Sequence, residues 1–186
     1  MKNESGRKSP ESLPTWGKGG TLNVLVDTPR GSAVKFKVDS GTNVYTVSHF
    51  LTRGAVFPFD FGSIPGTAAE DGDPLDLLVF AEAPTFPGCL VPVRLVGGLE
   101  ARQTQEGKTM RNDRLLGVAV ESRAYAEIHN MRDVPKRLLD EIEHFFVSYN
   151  EARGRRFRVL RRVGPEAAKR LVKASQRRFE SERGKM

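Results

Sequence analysis

The feature that most constrains the fold of this chain is a succession of short β-type runs. Each run is closed by turn-forming residues. Apolar residues alternate with charged ones in Val34–Val38, which is typical of a half-buried strand. Sequences such as Asp39-Ser40-Gly41 and Pro87-Gly88 separate the runs where a sheet would reverse. The runs are Leu22–Val26, Val34–Val38, Tyr45–Phe50, Leu77–Phe80, Cys89–Val96 and Leu115–Val120. Several short strands at this spacing favour a small β-barrel.

Two helical patterns follow the last of these runs. Asp133 can cap a helix that opens with Val134-Pro135, and apolar side chains then recur at spacings of three and four on one face. That face comprises Leu138, Leu139, Ile142, Phe145, Phe146 and Tyr149. A second amphipathic helix, strongly basic, begins near Gly164-Pro165 and is expected over residues 165–183. We expect the first helix to pack on the barrel.

Length and composition limit the class of protein. A chain of 186 residues can close one core, and it has no run of about 18 apolar residues that could span a membrane. Cys89 is the only cysteine and the start lacks an apolar leader, so we expect a cytoplasmic protein without an internal disulfide. Residues 1–20 have the composition of a flexible N-terminal arm, and residues 21–186 are expected to form a single domain.

The positive charge of the chain is concentrated at its end. The net charge is +7, but residues 151–186 hold 13 Lys and Arg against 4 Asp and Glu. Such a run is usually a solvated face, and its alternative is a surface that binds polyanions. Only Phe157 and Phe179 could stack on bases, so the composition does not favour nucleic acid as a partner.

The sharpest chemical feature is an acidic stretch that leads into an apolar run. It contains four carboxylates within seven residues: Glu70, Asp71, Asp73 and Asp76. Asp71 and Asp73 flank a glycine, so both can face one side of a turning backbone, and Pro74 stiffens the bend before Asp76. Clustered hard oxygens suit Mg²⁺ or Mn²⁺. Taken alone, the same turn is also typical of a solvated acidic loop.

The residues around this stretch resemble those of the family I soluble inorganic pyrophosphatases. The resemblance covers about residues 22–172 and includes Thr28 to Ser32 with Lys35, Phe57 to Pro65, Asp71-Gly72-Asp73-Pro74-Leu75-Asp76, Phe86-Pro87-Gly88 and Glu143 to Tyr149. The chain is identified as a divergent member of that family. The resemblance implies an α+β fold, with a small closed five-stranded β-barrel of the oligonucleotide-binding type and two packed outer α-helices.

The resemblance also implies a function and the residues that perform it. The reaction is hydrolysis of pyrophosphate to two phosphates with Mg²⁺, or with Mn²⁺ as the alternative ion, in a homo-oligomer that is a hexamer in bacterial members. Asp73 matches the carboxylate that accepts a proton from the attacking water. The implied catalytic residues are Asp73, Lys35 and Tyr149, the implied substrate-binding residues are Lys35, Tyr149, Arg114 and His49, and the implied metal ligands are Asp71, Asp76, Asp27 and Asn112.

Several positions depart from the family pattern. The family has a glutamate at Lys37, an arginine at His49, a tyrosine at Phe61, aspartates at Gln103 (or Glu106) and Asn112, and a lysine at Asn150. Arg53 is a candidate to compensate for the arginine lost at His49. Amide oxygens carry no charge, so at least one metal site is expected to bind more weakly. The alternative function is therefore an impaired protein of the same fold that binds a phosphorylated ligand or polyanion.

Overall fold

The described part of the computed structural model, residues 13–39 and 41–184, contains nine β-strands and two α-helices. The strands are β1 (Leu22–Thr28), β2 (Val34–Asp39), β3 (Val44–Phe50), β4 (Asp60–Ser63), β5 (Asp76–Phe80), β6 (Leu90–Gln105), β7 (Lys108–Arg111), β8 (Arg114–Ala119) and β9 (Arg156–Val163). The helices are α1 (Lys136–Glu151) and α2 (Pro165–Arg183). Neither helix carries an apolar stretch long enough to cross a bilayer.

Five of the strands form a closed ring. β1 pairs with β4 and β6, β4 with β5, β5 with β8, and β8 with β6, and only the β5–β8 pair is parallel. The distal half of β6 continues beyond the ring and pairs with β7 and β9, while β2 and β3 form a separate hairpin. The α+β fold class, with five strands closed into a ring and two helices outside it, is therefore confirmed.

The long strand β6 can serve both parts of the sheet because it bends at two glycines. Its register with β8 shifts between Leu95 and Gly97, after which it pairs with β9. A Cβ atom on Gly97 would lie 2.3 Å from the carbonyl oxygen of Val163, and one on Gly98 would lie 2.8 Å from a methyl group of Leu115. Only glycine allows the backbones to approach this closely.

Each helix covers one of two hydrophobic clusters. The predicted apolar face of α1 is confirmed, since Leu139, Ile142 and Phe146 are buried in the first cluster. Ala168 and Val172 of α2 are buried in the second. The basic C-terminal helix is thus part of the core and not a free surface segment.

Three strands and one helix start differ from the sequence-based expectation. β4, β7 and β9 were not predicted, and β9 lies in the segment that the charge pattern indicated as a basic tail. The expected cap of α1 is wrong: Asp133 accepts backbone hydrogen bonds from His129 and Asn130 and closes a short 3₁₀ helix, and α1 begins at Lys136.

The predicted N-terminal arm divides into two parts. Residues 1–12 lie outside the described residues. The description as an arm does not hold for residues 13–20, because Thr15 donates to the carbonyl oxygen of Pro65 at 2.7 Å and Trp16 donates to Gln176 at 2.8 Å. Trp16 also packs on the second cluster, so its apolar ring is the reason that this segment adheres to the domain.

Candidate active site

A cleft of about 540 Å³ lies between the strand ring, the β2–β3 hairpin and the end of α1. Eight of the nine predicted site residues line this cleft: Asp27, Lys35, Asp71, Asp73, Asp76, Asn112, Arg114 and Tyr149. They come from four strands, one helix and two loops, although Asp71, Asp73 and Asp76 are close in sequence. The ninth residue, His49, lies outside the lining.

The acidic loop is held in a tight turn before β5. Gly72 has a φ of 83°, the left-handed conformation that glycine adopts without strain. Ala69 donates to the Asp73 carbonyl at 2.8 Å, and the Asp73 amide donates to the Asp71 carboxylate at 3.2 Å. Desolvation in the loop and the charge of Asp73 both raise the pKa of Asp71. The turn therefore concentrates negative charge at one side of the cleft.

A buried pair of opposite charges lies across the cleft floor. The Lys35 ammonium nitrogen is 3.9 Å from a carboxylate oxygen of Asp27, and each residue is 7% exposed. Burial raises the pKa of Asp27 to about 7, an effect that Lys35 opposes and the charge of Asp76 reinforces. Burial also lowers the pKa of Lys35. The Lys35 ammonium is 4.2 Å from the centre of the Phe61 ring. Phe61 lacks the hydroxyl of the family's tyrosine, but its ring face still stabilises the cation.

Arg114 is the second buried cation. Its guanidinium is 2.7 Å from Asp76 and contacts the Asn112 side-chain oxygen, and three phenylalanine rings surround it. Asn112 in turn donates to Gln103 at 3.0 Å. Asn112 therefore contacts both Gln103 and Arg114, and two neutral amides stand where the family has aspartates. Glu106 does not fill the gap, because it is exposed in the β6–β7 turn and is absent from the cleft lining.

Lys37 makes a direct contact with the predicted proton acceptor. Its ammonium nitrogen lies 3.0 Å from a carboxylate oxygen of Asp73, and the two side chains are 55% and 64% exposed. The family's glutamate at this position would repel Asp73, whereas this lysine attracts it. The substitution thus converts a repulsive neighbour of the candidate base into an ion pair.

His49 supports Tyr149 and does not face the cleft. The imidazole Nε2 and the Tyr149 hydroxyl share a hydrogen bond of 2.9 Å. Burial, followed by the charge of Arg153, lowers the pKa of His49 to about 4, so the ring is neutral near pH 7. Burial raises the pKa of the Tyr149 phenol, which keeps its proton. The structure therefore places His49 against Tyr149 and outside the cleft lining, and Arg53 is also absent from that lining.

Two arginines that the sequence analysis did not assign to the site also line the cleft. Arg153 and Arg155 follow directly after α1 and flank Gly154. Arg153 donates to the Tyr149 hydroxyl at 3.4 Å. The charge pattern includes both in the basic tail, although a glycine just after a helical pattern is a known helix-end signal.

The donor set of the cleft suits a hard cation. Burial raises the pKa of both Asp27 and Asp71, and the charge of Asp76 adds to the effect at each of them, so the carboxylates lie close enough to interact. Among the residues the structure describes, no three acidic, histidine or cysteine side chains meet at one point. A divalent ion held by three of these carboxylates would need side-chain rotation, most directly at Asp76, which is paired with Arg114, whereas one or two carboxylates with water suffice for Mg²⁺.

Comparison with known proteins assigns the chain to a family. A sequence profile described as inorganic pyrophosphatase matches residues 24–180. The chain belongs to the inorganic pyrophosphatase family. The inorganic pyrophosphatase of Geobacillus stearothermophilus is 34% identical over 151 residues, which cover 81% of this chain and 89% of that protein. That of Synechocystis sp. is 36% identical over 137 residues, covering 74% and 79%.

The fold agrees with this pyrophosphatase assignment. The crystal structure of the inorganic pyrophosphatase from Thermus thermophilus superimposes with a TM-score of 0.84 at 32% identity, over 92% of this chain and 99% of that one. The expected family is thus confirmed, and the chain is a hydrolase of the inorganic pyrophosphatase type.

Proposed function

We propose that this protein hydrolyses inorganic pyrophosphate to two phosphates with Mg²⁺. The supporting observation is that one cleft holds the carboxylates Asp27, Asp71, Asp73 and Asp76 beside the buried cations Lys35 and Arg114. A small, highly anionic substrate needs cations to neutralise it and carboxylates to recruit metal ions and accept a proton. The names of the relatives, inorganic pyrophosphatases, support the same substrate.

The metal would be held by the acidic side of the cleft. Asp71, Asp76 and Asp27 would supply carboxylate oxygens, and Asn112 a neutral oxygen once it releases Arg114. When bound, Mg²⁺ supplies activation of water near neutral pH and neutralisation of phosphoryl charge. Mn²⁺ is the alternative ion, because it accepts the same oxygen donors.

The chain's own residues then bind substrate and move the proton. Asp73 accepts the proton of the attacking water, after its carboxylate has separated from Lys37. Lys35 and Arg114 donate to phosphoryl oxygens, and their aromatic surroundings hold them in place. Tyr149, oriented by His49, donates its phenolic proton in a hydrogen bond to a phosphate oxygen.

A second candidate function is binding of a phosphorylated ligand or polyanion without efficient turnover. Two observations favour it. Lys37 is paired with the carboxylate of Asp73, the candidate base. The neutral amides Gln103 and Asn112 weaken a metal site. Part of the charge of the basic tail is neutralised, because Arg161 and Arg162 of β9 are paired with Glu100, Glu143 and Asp140, which weakens the case for nucleic-acid binding.

Phosphate release from pyrophosphate decides between the two functions. We expect release with millimolar Mg²⁺, release with Mn²⁺ in its place, and none with EDTA. Absence of release under every metal condition, together with binding of the non-hydrolysable methylenediphosphonate, would overturn the enzymatic proposal and support the binding protein.

We further propose a homo-oligomer, with a hexamer as the expected form. Several large apolar side chains are exposed on this chain, among them Phe50 at 73% and Phe86 at 65%. Burial between copies would remove them from water. Light scattering after size exclusion should give a mass several times 20.7 kDa, and a monomer at micromolar concentration would contradict the proposal.

A further inference from the structure

Resting on the proposed function, we infer that Arg153 and Arg155 form an anion-binding pair for the phosphoryl group that Tyr149 contacts. This pair takes over from the two cationic side chains that the chain lacks at His49 and Asn150. It would hold one phosphate of pyrophosphate, and one phosphate of product after hydrolysis.

The backbone at the end of α1 directs both arginines to the same region. The Arg155 amide donates to the Asn150 carbonyl at 3.0 Å, and the Gly154 amide donates to the Glu151 carbonyl at 2.9 Å. Gly154 has a φ of 68°. This is the Schellman arrangement, in which a left-handed glycine ends a helix and reverses the chain. Arg153 and Arg155 therefore leave a defined turn, and both line the active-site cleft.

Neither guanidinium group has a carboxylate partner among the residues that the structure describes, in contrast to Arg114, the third arginine that lines the cleft, which is paired with Asp76. Arg111, Arg114, Arg161 and Arg162 each form an ion pair. Within residues 13–39 and 41–184, no carboxylate lies within ion-pair distance of Arg153 or Arg155. Burial, with the charge of Arg153 next, lowers the pKa of Arg155. Two like charges held together in a cleft favour an anion between them.

The side chains at positions 49 and 150, where the family has cationic residues, cannot supply a cation in this chain. His49 is neutral and bound to the Tyr149 hydroxyl. Asn150 is 1% exposed, and its side-chain amide donates to the Phe146 carbonyl at 2.8 Å. Arg153 instead reaches the Tyr149 hydroxyl, at 3.4 Å, and stacks near that ring, 5.6 Å from its centre. Its guanidinium is thus adjacent to any oxygen that Tyr149 contacts.

Binding of methylenediphosphonate by calorimetry, with Mg²⁺ and separately with EDTA, tests the pair without requiring turnover. Arg153→Gln and Arg155→Gln should each weaken binding about tenfold, equivalent to about 1.4 kcal/mol. Arg156→Gln is the matched control, because Arg156 is exposed and absent from the cleft lining. It removes the same charge one residue away and should change binding less than about twofold, the scale of a screened surface charge.

Kinetics and a conservative variant complete the test. With pyrophosphate, KM should rise about tenfold in each glutamine variant while kcat changes little. This result is expected when a mutation weakens binding of the substrate and of the transition state equally. Arg155→Lys should restore part of the affinity, which a purely structural role would not explain. Equal weakening in the Arg156→Gln control, or unchanged affinity in both cleft variants, would overturn the inference. If the wild type binds the probe through these arginines but releases no phosphate, only the proposed hydrolysis fails.

Discussion

Replacing Lys37 by glutamine should raise the turnover of pyrophosphate, because the lysine occupies the proton acceptor. The ammonium lies 3.0 Å from Asp73, but both side chains are more than half exposed. An ion pair at such a surface is worth at most about 1 kcal/mol, which sets the cost of separating it before proton transfer. Removing that cost can accelerate the reaction by up to about fivefold. The free energy of unfolding should change by no more than about 0.5 kcal/mol.

The assay is steady-state phosphate release at saturating pyrophosphate and Mg²⁺, compared with the wild type. Lys108→Gln is the control, since Lys108 is exposed on β7 and is absent from the cleft lining. It should leave kcat unchanged. A tenfold fall of kcat in Lys37→Gln would refute the reasoning. It would show that, once substrate is bound, Lys37 separates from Asp73 and contacts the substrate.

Three other perturbations test separate parts of the structure. Asn112→Asp adds a negative charge to the neutral side of the cleft and should lower the half-saturating Mg²⁺ concentration about tenfold, which corresponds to about 1.4 kcal/mol. An unchanged Mg²⁺ titration would exclude this position as a metal ligand. Burial, and then the charge of a neighbouring guanidinium, lower the pKa of His49 from 6.5 to about 4. Between pH 6.5 and 4 the unfolded chain therefore binds more protons than the folded one, so the free energy of unfolding falls as the pH is lowered through this range. The wild type should therefore lose more stability than His49→Gln on acidification from pH 6.5 to 4 in urea titrations, and parallel losses would contradict the assigned shift. Asp60 is 2% exposed and accepts hydrogen bonds from the amides of Arg30 and Thr85 and from the Thr85 hydroxyl. Asp60→Ala should cost about 3 kcal/mol of unfolding free energy, because buried donors lose their partners, and a cost below about 1 kcal/mol would show that water replaces them.

The parts of the site that are local in sequence could be predicted from it. Asp71, Asp73 and Asp76 lie within six residues, so any turn there brings them together. Tyr149 lies on the apolar face of a helix whose period is evident, which fixed the side of α1 that meets the ring. The placement of Asp27 and Lys35 beside this loop rested on the family resemblance, because no local pattern pairs them.

The remaining contacts join residues that are distant in the chain. Lys37 and Asp73 are 36 positions apart, and His49 and Tyr149 are 100 apart, so neither pairing follows from a local period. β9 was missed because arginines occupy its exposed positions, which gave the segment the composition of a charged tail although Phe157 and Val163 are buried. The identity of a side chain can be read from the sequence, but its partner depends on strand order and register.

The Asp73→Asn variant, assayed for phosphate release from pyrophosphate with and without millimolar Mg²⁺, tests the central claim most directly. Asp73→Asn and Lys37→Gln both remove the same ion pair, but only the first removes the carboxylate that accepts the proton. The account predicts Mg²⁺-dependent release by the wild type and a fall of about a hundredfold or more in Asp73→Asn, with the fold unchanged by circular dichroism. Release by Asp73→Asn at near wild-type rate, or none by the wild type, would contradict it.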